Sequence, residues 1–193
     1  MISEEIRCLL DKAKVALSTK EEIVELVNRD KKFGSDLPVR DYVTILRFLT
    51  PQSYGCKLQD LFIKMLGLTP TPSKDNSGDC RDNMGDFYEV KCSIVTTTNS
   101  SLNFVQIRPW QEVRGYFGIV IDTRVDPYRI EVYRLSKSDM ERECKELNAT
   151  SAHGTRKANE LNSNVELRLS VPIDQSNHHY IRWKNKYLSN FKF

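Results

Sequence analysis

The segment GDCRDNMGDFYEVKCS, Gly78 to Ser93, gathers four acids (Asp79, Asp82, Asp86, Glu89) and Lys91 within sixteen residues. Like charges so crowded are either spread over a solvated hairpin or offset by a bound cation. Glu89 and Lys91 stand two apart, so on a strand their side chains leave the same face, about 6.6 Å apart along the chain. A carboxylate from a neighbouring strand can then meet them across the sheet. Two carboxylates and a backbone carbonyl supply the oxygen ligands that Mg²⁺ prefers. Such an ion polarises a phosphodiester and activates water, and Lys91 can orient that water. The chemistry these residue types suit is phosphodiester hydrolysis.

The second carboxylate is a question of spacing. Asp86 is three residues from Glu89 and points to the opposite side of the same strand. Asp82 sits near the turn-like NMGD and could still reach. Asp79 leaves nine residues before Glu89, enough for a tight hairpin that sets the two side by side. Asp79 is the favoured ligand, with Asp82 second.

Hydrophobic periodicity supplies the elements that must position these groups. The first third reads as helix: Ile2, Ile6, Leu9, Leu10 and Ala13 keep helical spacing, and STKEEIVELV offers a capping box of Thr19 and Glu22. GSDLP and Pro51 break the pattern on either side of VRDYVTILRFL. CKLQDLFIKMLG sets Leu58, Leu61, Phe62 and Met65 on one helical face, with Gly67 as its stop. From Asp79 the period changes to two. In FYEVKCSI, Tyr88, Val90, Cys92 and Ile94 alternate with Phe87, Glu89, Lys91 and Ser93, which predicts a strand with one buried and one polar face. LNFVQIR, the nearly all-apolar YFGIVID, and YRIEVYRL follow as strands, SKSDMERECKEL as a charged helix, and VELRLSV as the strand that closes the sheet. The expected fold is α/β, a mixed central sheet flanked by helices. One domain covers 1–193, with a helical extension over 1–50 and an α/β core over 51–193.

Composition removes several classes. Hydrophobic content of 39% and aromatic content of 9% indicate a globular chain rather than a disordered one. No apolar run approaches the ~20 residues of a membrane span, and the N-terminus has no signal-like core. Five cysteines, odd in number and without a CxxC pair, read as thiols of a reducing cytoplasm. A net charge of +3 permits a polyanionic partner.

The pattern Asp79, nine residues, Glu89-Val90-Lys91 resembles the signature of the PD-(D/E)xK nucleases, an Asp followed on the next strand by Glu-x-Lys. The resemblance extends from about Ser53 to Val171, with Gly78 standing where the signature nominally has Pro. IRPWQEVRGYFGIVID and SAHGT look most like small type II restriction endonucleases or the cleavage subunits of type IIS enzymes. The resemblance implies a restriction-endonuclease-like core, Asp79, Glu89 and Lys91 as catalytic residues, and Mg²⁺ held by Asp79, Glu89 and the Val90 carbonyl. It further implies double-stranded DNA as substrate, and either a homodimer or a larger recognition subunit as partner. The helix that often supplies a further Glu to such sites carries Gln59 here.

Other residues are candidates for DNA contact or an accessory role. Gln106 and Arg108 alternate on the strand after Glu-x-Lys and could face the same cleft. His153, Arg156 and Lys157 lie in the long stretch 148–164, which could track a phosphate backbone. Trp110 could stand near nucleic acid, although a Trp is more often core or rim packing; the basic-aromatic tail HHYIRWKNKYLSNFK suits DNA contact or a docked terminal helix equally. A repair or recombination nuclease of the same core, and a non-catalytic DNA-binding module, are the alternative functions.

Overall fold

The computed structural model of the chain describes residues 20–29, 37–72, 77–151 and 166–191. They form an α/β structure with a mixed sheet flanked by helices. The chain divides into two compact units, residues 1–61 and 62–193, the division falling inside one helix.

The first unit contains helices α1 (Lys20–Arg29), α2 (Val39–Leu46) and most of α3 (Pro51–Met65). Pro51 starts α3 at the position where a missing N–H costs nothing. Gly67 ends it at φ +66°, and Leu68 N–H donates back to the Ile63 carbonyl at 3.0 Å, the six-to-one bond of a Schellman stop. Leu58, Phe62 and Ile63 of α3 are buried, whereas Met65 is 37% exposed, so the buried stripe is rotated from the one expected. The capping residue Thr19 and the apolar positions before it lie outside the described residues.

The second unit is built on a five-stranded sheet in the order β1-β2-β3-β5-β6. Its strands are β1 (Thr69–Pro70), β2 (Cys80–Arg81), β3 (Phe87–Val95), β5 (Gly115–Asp122) and β6 (Arg129–Ser136). β1, β2 and β3 run antiparallel in succession, β3 pairs with β5 in parallel, and β6 returns antiparallel beside β5. β5 is buried at every residue, as its unbroken apolar run requires of a strand covered on both faces.

Two expectations are corrected here. β4 (Ser101–Ile107) and β8 (Leu167–Pro172) do not extend the main sheet; with β7 (Thr150–Ser151) they form a second sheet in the order β4-β8-β7. This small sheet lies against the Glu89 face of the main one. The Phe104 ring sits so close over Gly118 that a Cβ there would be 2.6 Å from it, and Asn103 N–H donates to Ser93 Oγ at 2.9 Å. Consequently β3 has no solvated face: Glu89, Ser93 and Val95 are buried along with Tyr88, Val90 and Ile94. Alternation marked the two faces correctly but not what covers them.

Helices α4 (Lys137–Glu146) and α5 (His178–Tyr187) complete the layer. Ser136 caps α4 by accepting from Asp139 N–H, and Asn177 caps α5 by accepting from His179 and Tyr180 N–H. The basic-aromatic tail is thus a helix whose Tyr180, Trp183 and Tyr187 are buried. Trp183 packs at 6.1 Å from Phe104 and 5.8 Å from Tyr133 between ring centroids. Two buried acids receive the polar atoms that come with these rings. Glu131 accepts from Tyr133 Oη (2.6 Å), Tyr180 Oη (2.9 Å) and Lys184 Nζ (2.9 Å). Glu143, wholly buried, accepts from Trp183 Nε1 (2.9 Å), Tyr187 Oη (2.6 Å) and Arg182. Among the described residues no helix is long and apolar enough to cross a membrane.

Candidate functional site

The site is assembled where β2 and β3 part. The turn between them is closed by Asp82, whose carbonyl accepts from Gly85 N–H at 3.0 Å and whose Oδ1 accepts from Met84 N–H (2.9 Å) and Asp86 N–H (3.1 Å). Asp82 therefore spends its carboxylate on holding the NMGD turn. Asp86 is half-buried and sits 3.8 Å from Arg114 Nε in a loose surface pair.

Asp79 lies one residue before β2. Cys80 stands opposite Tyr88 and Arg81 opposite Phe87, and Asp79 meets β3 along its Tyr88–Val90 edge. Asp79 N–H donates to the Tyr88 carbonyl at 2.9 Å, and Asp79 Oδ2 accepts from Val90 N–H at 2.8 Å. The carboxylate thus occupies the edge of β3 that β2 leaves uncovered. In a strand the N–H and C=O of one residue leave by the same edge, so the Val90 carbonyl is directed toward the Asp79 side as well.

Gly78 makes this approach possible. It takes φ +109°, and a Cβ there would lie 2.7 Å from the Tyr88 carbonyl oxygen and 2.9 Å from Val113 Cγ1. Proline, held near φ −65°, cannot adopt this backbone.

On β3, Lys91 Nζ donates to Glu89 Oε1 at 2.7 Å, with the two side chains 12% and 6% exposed. Glu89 Oε2 accepts from Gln111 Nε2 at 2.9 Å. Gln111 is itself buried, 7% exposed, and its Oε1 has no hydrogen-bond partner. It arrives on the turn Arg108–Gln111, closed by Gln111 N–H to the Arg108 carbonyl (3.1 Å) and pinned by Lys137 Nζ on the Gln111 carbonyl (2.9 Å). Tyr116 stands beside Glu89 in the β3–β5 register. Burial, then the Glu89 charge, drives its phenol pKa far above the usual value. Burial likewise pushes the Cys80 thiol up to about 12, with the charges of Asp79, Glu89 and Asp82 adding to it. Cys80 is thus a neutral packing residue. Asp79 is half-buried, so water reaches the group from its side.

The other candidates fall elsewhere. Two residues of β4, Val105 and Gln106, oppose the single Arg168 of β8, a bulge that ends the alternation on which the pairing of Gln106 with Arg108 rested. Gln106 is exposed at φ +55°, and Arg108 Nε donates to Glu166 Oε1 at 2.9 Å. Trp110 is 43% exposed at the tip of the turn that carries Gln111. Gln59 lies half-buried on α3 in the first unit. His153, Arg156 and Lys157 lie outside the described residues. Gln111 was missed from the sequence because twenty-two positions separate it from Glu89 and nothing in RPWQ announces a buried amide. Its one local signal is the Pro of the turn.

Asp79, Glu89 and the Val90 carbonyl are hard oxygen donors of the kind Mg²⁺ takes, and the partnerless Gln111 Oε1 leaves a buried acceptor close by. Among the described residues no group of three or more His, Cys, Asp or Glu stands ready to hold a metal, so any further ligand drawn from these residues is a neutral oxygen. No family model matches this chain, and no curated protein is significantly similar to it.

Proposed function

We propose that this chain is a Mg²⁺-dependent endonuclease that hydrolyses phosphodiester bonds of double-stranded DNA, as a type II restriction enzyme or the cleavage subunit of one. The observation that carries the reading is the hydrogen bond from Val90 N–H to Asp79 Oδ2. It brings the Asp79 carboxylate to the backbone of the strand that carries Glu89 and Lys91. Asp79, Glu89 and the Val90 carbonyl would hold the ion. When bound, Mg²⁺ supplies Lewis-acid polarisation of the scissile phosphate and neutralises charge that develops on it.

The chain's own groups do the rest. Gln111 and Lys91 fix the Glu89 carboxylate from both oxygens, so its orientation is set before substrate arrives. An ammonium has three donors, and Lys91 gives one to Glu89. The other two serve to orient the attacking water and to meet a phosphate oxygen. The layer formed by β4, β8 and the helices removes bulk water from the rear of the site, which strengthens each of these interactions. One such centre cuts one strand, so a double-strand break needs a second copy of the chain or a partner subunit.

Supercoiled plasmid incubated with the purified protein and Mg²⁺ tests the proposal, with the solution mass read by light scattering. Nicked or linear product with wild type, and a loss of at least ~10²-fold with Glu89→Gln, is the expected result. Cutting by Glu89→Gln at the wild-type rate refutes it. A dimer giving linear product at discrete sites indicates self-association. A monomer that needs a second polypeptide indicates a cleavage subunit.

A further inference from the structure

We infer that Gln111 belongs to the cation site: its Nε2 holds Glu89, and its Oε1 is a neutral oxygen donor to the cation. This rests on the reading of Asp79 and Glu89 as ligands and adds a residue to them. A carboxylate oxygen only accepts hydrogen bonds, so the amide nitrogen of Gln111 must be the atom that faces Glu89 Oε2 at 2.9 Å. Its orientation is thereby fixed by chemistry. The oxygen and nitrogen of an amide are about 2.2 Å apart, which keeps Oε1 within about 5 Å of that carboxylate oxygen. There it is buried and without a donor.

A buried acceptor left unmatched costs about 1–3 kcal/mol, and natural proteins seldom keep one without a use. The backbone around Gln111 is pinned at its own N–H and carbonyl, so the side chain is held here by construction. Among the described residues no third His, Cys, Asp or Glu joins Asp79 and Glu89. A hard cation at this place has two carboxylates to neutralise it and still wants further oxygens. An amide oxygen satisfies that want without adding charge.

The test is cation binding by the full-length protein without DNA, using Mn²⁺ and counting free ion by electron paramagnetic resonance. Circular dichroism confirms that each variant is folded. Gln111→Leu removes both the donor to Glu89 and the oxygen, and should weaken Mn²⁺ by about 10–100-fold. Unchanged affinity overturns the inference. Gln111→Glu separates a ligand from a mere support. A third carboxylate repels Glu89 in the metal-free protein but gains a charged oxygen toward the ion, so Mn²⁺ should bind at least ~10-fold more tightly than to Gln111→Leu. Binding as weak as in Gln111→Leu overturns the donor role of Oε1. Asp79→Asn keeps the two readings apart. If it abolishes Mn²⁺ binding while Gln111→Leu does not alter it, only this inference fails. If wild type and Asp79→Asn both bind no Mn²⁺, the metal-dependent reading fails and takes this inference with it.

Discussion

Lys91→Met should destabilise the metal-free protein and make it a better cation binder than wild type. Lys91 and Glu89 are 12% and 6% exposed at the side chain, so solvent does little to screen the pair. Removing one partner of a buried ion pair costs about 3–5 kcal/mol, because the other charge is left unmatched. Here Gln111 Nε2 still donates to Glu89 Oε2, and a hydrogen bond to a charged group offsets part of that loss. A net cost of about 2–4 kcal/mol follows. For a chain of this length each kcal/mol moves the melting temperature by about 2–4 °C, so the variant should melt about 5–15 °C below wild type in EDTA. Adding Ca²⁺, which fills an oxygen site without efficient cutting, should narrow the gap. Wild-type Lys91 competes with the cation for Glu89 Oε1, whereas the variant leaves that oxygen open. At saturating Ca²⁺ the gap closes by about 1.4 kcal/mol for each tenfold by which the variant binds more tightly. The assay is a thermal melt followed by circular dichroism, with and without Ca²⁺. A variant that melts within about 1 °C of wild type in EDTA refutes the buried-pair argument. Equal Ca²⁺ shifts in the two proteins refute the competition for Glu89.

The remaining expectations concern the hairpin and the buried acids. Asp79→Asn should reduce plasmid cleavage by at least ~10²-fold, whereas Asp82→Asn keeps an oxygen that can accept the two turn N–H groups and should cut within a few-fold of wild type. Equal losses would mean that Asp82 does more than hold the turn. Gly78→Ala forces a Cβ to 2.7 Å from a carbonyl at φ +109°, and should cost about 2 kcal/mol or more by urea titration. Gly55→Ala, with nothing within 4 Å and inside α3, should be neutral or stabilising by up to about 1 kcal/mol. Burial works to raise the Glu131 pKa, but hydrogen bonds from Lys184, Tyr133 and Tyr180 outweigh it and hold it below the ordinary 4.5. A depressed acid stabilises the fold above its unfolded pKa and ceases to as pH falls through its folded one. Stability should therefore decline as pH drops below about 4.5, and Glu131→Gln should flatten that decline. An unchanged acid limb in Glu131→Gln would assign the decline to other groups.

The local features were legible because each is written in adjacent residues. The alternation of FYEVKCSI identified β3 and put Glu89 and Lys91 on one face. The turn residues of NMGD marked the hairpin that joins β2 to β3. Gly67 stopped α3 because a left-handed residue is where a helix of this kind ends.

What the sequence by itself determined is thus the kind and direction of each element: which segment is strand, which side chains share its face, and where the hairpin turns. Only the tertiary structure decided what meets that face. Polar residues at every second position predict a wet surface, yet the β4–β8 sheet covers this one, and Glu89 becomes a buried carboxylate with its two oxygens assigned to Lys91 and Gln111. One extra residue in β4 turned Gln106 outward and Ile107 inward, a shift that no pattern of period two can announce. The physical reason is common to all of these. Backbone geometry repeats over two to four residues and leaves its mark in the local sequence. Sheet pairing and layer packing join positions tens of residues apart, and their outcome depends on shape and burial rather than on any local spacing.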